Sequence, residues 1–391
     1  MDQAIILAAG EGQRLRPLTS SRPKVMLAIG NKPVLQYVVE AVAANGIRRI
    51  VLVVGFHKEQ VQDYFGSGES LGVDIKYVEQ RQQLGTAHAL KQAASLADDY
   101  FLVISGDNIV SPSTIAPLLA EKPPAILVKP REDVSKYGVV IVEHGLVSAV
   151  VEKPPKADGN LVNTGIYSFS RSVFSFIDGD VDLPSVLTRM VSAGEKITSC
   201  ETNELWLDIV YPWDMLKLNA TVLEHTTPRT GGQVEHGAVL KGSVSVGDGS
   251  IVRSGSYLVG PVVVGKNCEI GPHACIFPST SVGDDVVLSP FSSVRNSIIE
   301  RNVQIGMSSH LEDTVVATGS RLGSHLMAHS EETVVHSDGE THLVNMGAVI
   351  GEHSSLGHNV VIRPGTMIGN RCRVQSLRDL HTNLPDGSLV M

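Results

Sequence analysis

The residues with chemistry to offer begin at position 10. Gly10 and Gly12 follow directly on an apolar run, Ile5-Ile6-Leu7-Ala8-Ala9, and two cations, Arg14 and Lys24, come after them. The run has the composition of a strand buried on both faces of a parallel sheet. Glycine lets the chain turn sharply behind such a strand and brings main-chain N–H groups near a ligand with no Cβ in the way. A loop of this kind aims several donors at phosphate oxygens. Its cations, Arg14 and Lys24, suit a chain of phosphates better than a single one. Two commoner glycine loops are excluded. A dinucleotide fingerprint needs a third glycine where Leu15 stands, and the Gly-x4-Gly-Lys-Ser/Thr pattern occurs nowhere.

From Leu7 to Pro33 the chain resembles the signature of sugar-1-phosphate nucleotidyltransferases, L-A-A-G-x-G-x-R-L-x-P-L-T followed by P-K and K-P. The resemblance implies that Leu7, Ala8, Ala9, Gly10 and Gly12 bind the nucleotide and that Arg14 and Lys24 are catalytic cations. The segment Glu79-Gln80-Arg81-Gln82-Gln83-Leu84-Gly85-Thr86-Ala87-His88-Ala89 resembles the family's base-recognition segment. That assigns the base to Gln80, with Gly85 and Thr86 beside it. A glutamine amide offers a donor and an acceptor, which complements the O4/N3–H edge of uracil or thymine.

Ser105-Gly106-Asp107-Asn108 and Trp206-Leu207-Asp208 resemble the family's two metal-binding segments. Asp107 and Asp208 are thus expected to hold Mg²⁺, a hard ion that takes one or two carboxylates together with phosphate oxygens. Tyr137-Gly138-Val139-Val140, Glu152-Lys153-Pro154 and Asn163-Thr164-Gly165 resemble the sugar-phosphate half of the site. By that likeness Gly138 leaves room for the sugar, Glu152 accepts from its hydroxyls, and Asn163 and Thr164 lie near it. Lys153 holds the phosphate and counts with the catalytic cations. The implied reaction moves a nucleotidyl group from UTP or dTTP to a sugar 1-phosphate, glucose 1-phosphate or N-acetylglucosamine 1-phosphate, and releases pyrophosphate.

The elements that must position these residues are legible in the first 225 positions. Val34 to Ala44 has helical periodicity, with Gly46 as its stop. Ile50 to Val54 and Val73 to Val78 are strand-like, Lys58 to Phe65 and Gly85 to Leu96 helical, and Phe101 to Ser105 strand-like again. Such alternation predicts a Rossmann-like α/β domain, a mostly parallel sheet with helices on both faces. Ligands bind beyond the carboxyl ends of its strands, and Gly10, Gln80 and Asp107 all follow strand-like runs.

After a linker at 226–232 the texture changes. Val246, Val252, Leu258, Val264, Ile270, Ile276, Val282, Leu288 and Val294 recur every six residues, and the period resumes at Ile350, Leu356, Ile362, Ile368 and Val374. Period six is neither helical nor simple alternation. Three such hexapeptides make one triangular turn with the aliphatic residues inward. The segment 233–391 thus resembles the left-handed parallel β-helix of hexapeptide-repeat proteins, with a loop insertion near 326–349. That likeness implies a homotrimer or higher homo-oligomer.

Together the two resemblances look like archaeal and bacterial enzymes that make UDP-N-acetylglucosamine, whose second domain N-acetylates an amino-sugar 1-phosphate with acetyl-CoA. The acetyl-transfer segment departs from that pattern. In Ile305-Gly306-Met307-Ser308-Ser309-His310 the position of the family's histidine holds Met307 and that of its tyrosine holds His310. No Lys or Arg lies between Arg321 and Arg363, and Lys266 is the last lysine. A thioether cannot take a proton, so loss of acetyl transfer is expected. A bifunctional enzyme and a non-catalytic regulatory subunit stand as the alternatives.

A net charge of −9 argues against nucleic acid or an anionic membrane as partner. Four cysteines without disulfide or metal spacing point to buried thiols in a reducing compartment. The first residues lack a signal peptide's basic start, and no apolar run is long enough to span a bilayer. A cytoplasmic enzyme is expected, with a nucleoside triphosphate and a sugar 1-phosphate as its ligands.

Overall fold

A computed structural model describes the chain apart from residues 133, 135, 136, 153–158, 180 and 181. The described residues divide into two compact units. The first holds Met1–Glu11, Arg22–Met26 and Pro33–Asp208; the second holds Gly12–Ser21, Leu27–Lys32 and Ile209–Met391. The helix preceding the expected linker, Pro212–Glu224, therefore belongs with the second unit, as do two short pieces of the signature segment.

In the first unit β1 (Gln3–Ala8), β2 (Arg49–Val54), β3 (Asp74–Glu79) and β4 (Tyr100–Ser105) run parallel in the order β3-β2-β1-β4. Every residue of β1 is buried, as its continuous apolar run predicts. The helices α1 (Val34–Ala44), α2 (Lys58–Phe65) and α3 (Thr86–Gln92) connect these strands. Leu35, Val38, Val39 and Val42 put one face of α1 into the core. Each such side chain contributes about 1.5–3 kcal/mol on burial. Gly46 sits just beyond α1 at φ 83°, where a Cβ would be strained.

Past β4, in the stretch that also carries α4 (Pro112–Ala120) and α5 (Leu183–Ser192), the sheet becomes mixed. With β5 (Asn108–Val110) as a short outlier, β6 (Ala125–Pro130), β7 (Gly138–Glu143), β8 (Leu146–Glu152), β9 (Leu161–Ser170) and β10 (Thr198–Glu201) continue it in the order β9-β6-β10-β8-β7. β9 is antiparallel to both β4 and β6. β11 (Trp206–Asp208) pairs antiparallel with β5 and sets Asp208 opposite Asn108.

The second unit is the left-handed parallel β-helix, three parallel sheets of nine, eight and seven short strands. The fourteen aliphatic positions of the six-residue period all point into one buried core. That core does not lapse between Val294 and Ile350: Ile299, Ile305, Leu311, Val316, Leu322 and Ala328 fill it. Two corners are one residue short, between Val294 and Ile299 and between Leu311 and Val316, so coils pair 17 residues apart there (Ser281 with Ile298) instead of 18 (Gln233 with Ile251). A single missed residue shifts the phase, and the sequence period vanishes although the stack continues.

The expected insertion is a hairpin, Glu331–Ser337 paired with Glu340–Met346. It leaves the stack after one rung and returns to the next, so Val315 pairs with Val349. One face of the β-helix carries the last helix, α6 (Pro212–Glu224). Asn219, fully buried on α6, accepts from Gly30 N and Ser281 Oγ and donates to Ser279 O, each at 2.9 Å.

Candidate active site

The ends of the parallel strands gather the first group of expected residues. Gly106 N donates to Leu7 O at 2.8 Å, and Gln80 N to Val54 O at 2.7 Å, which extends the ladder past the strand ends. A Cβ on Gly106 would lie 3.0 Å from Leu35 Cδ1 and 3.2 Å from Leu7 O, so a side chain in the turn into Asp107 would be crowded. Gly10 is exposed and a Cβ there would meet nothing within 4 Å. Leu7, Ala8 and Ala9 are buried behind it, which leaves the main chain as their point of contact with a nucleotide.

Lys24 Nζ donates to Asp107 Oδ2 at 2.5 Å. Asp208 Oδ1 accepts from Tyr137 Oη at 2.9 Å. Tyr137 is itself flanked by the Arg131 guanidinium, 5.5 Å from its ring centre and 5.3 Å from that of Trp206. Asn108, next to Asp107 in the chain and opposite Asp208 in the β5–β11 ladder, has a buried Oδ1 with no hydrogen-bond partner among the described residues. Among those residues no group of three or more His, Cys, Asp or Glu side chains forms a ready cage. Asp107 and Asp208 are nevertheless of the donor type a hard divalent cation takes, with phosphate and water completing its coordination.

Gln80 is 3% exposed at the end of β3. Its Nε2 lies 3.0 Å from Gly85 O and 2.9 Å from His88 Nδ1. The amide's donor half is therefore engaged inside the protein, where the sequence offered both halves to the base. Gly85 opens α3 at φ 111°, a conformation for glycine. Thr86 Oγ1 accepts from Leu183 N at 3.0 Å.

On the sugar side, Gly138 pairs with Glu152 across β7 and β8, and a Cβ on Gly138 would lie 2.9 Å from Glu152 Oε2 and 3.8 Å from Asn163 Cβ. The glycine makes room for the carboxylate. Asn163 is committed locally: Nδ2 donates to Tyr167 Oη and Oδ1 accepts from Gly165 N, both at 2.9 Å. Thr164 is buried, and its hydroxyl donates to Leu127 O at 2.7 Å, a bond within the sheet. Lys153 lies outside the described residues.

Gly12 and Arg14 belong to the second unit. Arg14 Nε donates to Asp338 Oδ2 at 2.6 Å, at the tip of the inserted hairpin, and the carboxylate pushes the guanidinium's pKa further up. In the same unit Asn370 Nδ2 donates to Pro17 O at 3.1 Å and Ser21 Oγ to Glu352. Tyr211 Oη donates to Glu340 at 3.1 Å, and its ring packs 4.5 Å from that of His342.

Sequence reasoning quoted His88 and Tyr137 within motifs but gave neither a role, and it did not single out Asp338. The first two contact Gln80 and Asp208, and nothing in their own spacing announces it. In the β-helix Met307 is 44% exposed, and His310 Nε2 lies 4.0 Å from Glu312.

Three stretches of the chain match known families. Residues 3–225 match the nucleotidyl transferase family, 258–342 the GMPPB C-terminal domain, and 347–376 the bacterial transferase hexapeptide of six repeats. The bifunctional protein GlmU of Methanococcus maripaludis is 32% identical over 94% of this chain and 92% of its own. A glucose-1-phosphate thymidylyltransferase of Streptomyces antibioticus is 34% identical over 79% and 94%. A bifunctional sugar-1-phosphate nucleotidylyltransferase/acetyltransferase of Sulfurisphaera tokodaii is 30% identical over 95% of both chains. Among solved structures, the inositol-1-phosphate CTP transferase of T. maritima superposes with a TM-score of 0.51 at 25% identity, over 58% of this chain and 98% of that one.

Proposed function

We propose, for a chain that belongs to the nucleotidyl transferase family, that it joins the uridylyl or thymidylyl group of UTP or dTTP to glucose 1-phosphate or N-acetylglucosamine 1-phosphate with Mg²⁺. It is an enzyme of the sugar-1-phosphate nucleotidyltransferase class. The sugar-phosphate oxygen attacks the α-phosphorus in line and pyrophosphate leaves, so no side chain becomes covalently attached. Lys24 and Arg14 neutralise the phosphates, an effect commonly worth about 10²–10³ in rate per group. The main chain at Gly10 and Gly12 donates to phosphate oxygens. Gln80 reads the base, with Gly85 and Thr86 beside it; Glu152 and Asn163 address the sugar, and Lys153 its phosphate. Asp107 and Asp208 would hold Mg²⁺, which when bound supplies further charge neutralisation at the phosphates.

The contact between Lys24 and Asp107 is the observation that carries this reading, because it joins the signature's cation to a strand-end carboxylate. The test is pyrophosphate release from the four common ribonucleoside triphosphates and dTTP, each against several sugar 1-phosphates. Release with UTP or dTTP is expected. Turnover with ATP or GTP while both of those fail would overturn the base assignment.

A second reading, N-acetylation of an amino-sugar 1-phosphate by the β-helix, is favoured by relatives named bifunctional that align along nearly the whole chain. Met307 supplies no base, and we take the β-helix to serve assembly as a cytoplasmic homotrimer. Thiol release from acetyl-CoA with glucosamine 1-phosphate at about 1 s⁻¹ or faster would establish the second reading instead. Loss of that release in His310→Ala would identify the displaced base.

A further inference from the structure

His88 has no assigned role, yet with Gly85 it lies against the Gln80 amide. The carbonyl of Gly85 only accepts hydrogen bonds, so the amide atom 3.0 Å from it is the nitrogen. The same nitrogen lies 2.9 Å from His88 Nδ1, which must then accept its second N–H. That puts the ring proton of His88 on Nε2, 3.2 Å from Gln92 Nε2, so the Gln92 amide must turn its oxygen toward the ring to accept it. Both donors of the Gln80 amide are thereby consumed, while its Oε1 accepts nothing among the described residues. A glutamine that is ambivalent in isolation is presented here as an acceptor alone.

We propose that His88 is a specificity-determining positioning residue, which holds the Gln80 amide so that only its oxygen faces the base. The base must then bring an N–H to that oxygen. Uracil and thymine do so with the imide N3–H. Cytosine presents a bare N3 at the same place, and two lone pairs would meet. The inference deepens the base assignment and rests on Gln80 reading the base. Without the Nδ1 acceptor only the Gly85 carbonyl holds the amide, so turning it over to offer its NH₂ to N3 of cytosine costs one hydrogen bond instead of two.

The test compares kcat and KM for UTP and CTP, at fixed saturating sugar 1-phosphate and Mg²⁺, in the wild type, His88→Ala, His88→Asn and Gln80→Ala. In His88→Ala the UTP:CTP ratio of kcat/KM should fall by about tenfold or more, through KM and not kcat. Asparagine can place an acceptor near the position of Nδ1, so His88→Asn should keep the ratio within about threefold of the wild type. A purely structural role would change both substrates equally and would not be rescued in this way. Should Gln80→Ala collapse the ratio while His88→Ala preserves it, the positioning role is wrong though the base assignment stands. An unchanged ratio in Gln80→Ala would remove the base assignment and this inference with it. A check needing no variant is competition by N3-methyl-UTP, expected to bind the wild type at least about tenfold more weakly than UTP; equal binding would overturn the proposal.

Discussion

Lys24 Nζ and Asp107 Oδ2 stand 2.5 Å apart, so the signature's second cation is held by the carboxylate that ends the fourth parallel strand. Each group has another claim on it in the proposed reaction, the triphosphate for Lys24 and Mg²⁺ for Asp107. Binding of the two ligands is therefore coupled, because each sets free the partner that the other needs. A carboxylate relieved of a neighbouring ammonium attracts a metal ion more strongly.

The first prediction follows from that pair. Asp107→Asn and Lys24→Met should each lower turnover by about 10² or more. Their metal affinities should move in opposite directions. Mn²⁺ titration without nucleotide, followed by electron paramagnetic resonance, should find tighter binding than wild type in Lys24→Met and weaker in Asp107→Asn. Equal affinities in the two variants would count against Asp107 as a metal ligand.

Tyr137 orients the other carboxylate. A hydrogen bond to a charged group is worth about 1.5–3 kcal/mol, so Tyr137→Phe should raise the Mg²⁺ concentration for half-maximal rate by about tenfold, with recovery at saturation. The measurement is initial rate against Mg²⁺ at fixed substrates. A fall in kcat that no Mg²⁺ concentration restores would assign Tyr137 elsewhere.

Asn219 satisfies three polar groups from inside α6. Asn219→Leu strands Gly30 N and the Ser281 hydroxyl without a partner, and the cost should be about 2 kcal/mol or more. The urea midpoint of the transition that reports the second unit should fall accordingly, and a midpoint within error of wild type would refute the account.

Thiol reactivity offers a test of burial. Cys200, Cys268 and Cys372 are buried, and burial pushes their thiols up, Cys200 to about 11. The thiolate is the reactive form, so at pH 8 these three should label slowly. Cys275, partly exposed, should account for the fast phase with an aromatic disulfide reagent, and Cys275→Ser should abolish that phase.

Much of this was legible in the residues. The Leu7–Pro33 signature and the continuous run of β1 gave the loop, and α1 and α2 begin and end at the residues expected of them. A period of six announced the β-helix. What escaped was whatever depends on meeting across space. The two short corners hid six inward residues, because a periodicity reads phase and not contact. The commitment of the Gln80 donors needed the geometry of Gly85 and His88. Asp338 is an ordinary hairpin-turn residue until Arg14 is seen against it. Sequence also could not divide the signature segment, whose two pieces from Gly12 to Ser21 and Leu27 to Lys32 share the second unit with α6.

The hairpin from Glu331 to Met346 has a consequence for how this chain can change length. Val315 meets Val349 as directly as Ile298 meets Val315, although 34 residues separate the first pair and 17 the second. Axial height is set by strand spacing, about 4.8 Å per coil, and is indifferent to what a corner extrudes. At this corner chain length and stack height are decoupled, so residues can be spliced in or trimmed without breaking the column above. The excursion is nevertheless tied at its turn, where Asp338 meets Arg14, and on its second arm, where Glu340 and His342 meet Tyr211. Evolution and protein engineering alike can change the length of this excursion without altering the height of the stack, but a change that moves its apex is felt by an arginine 324 positions away.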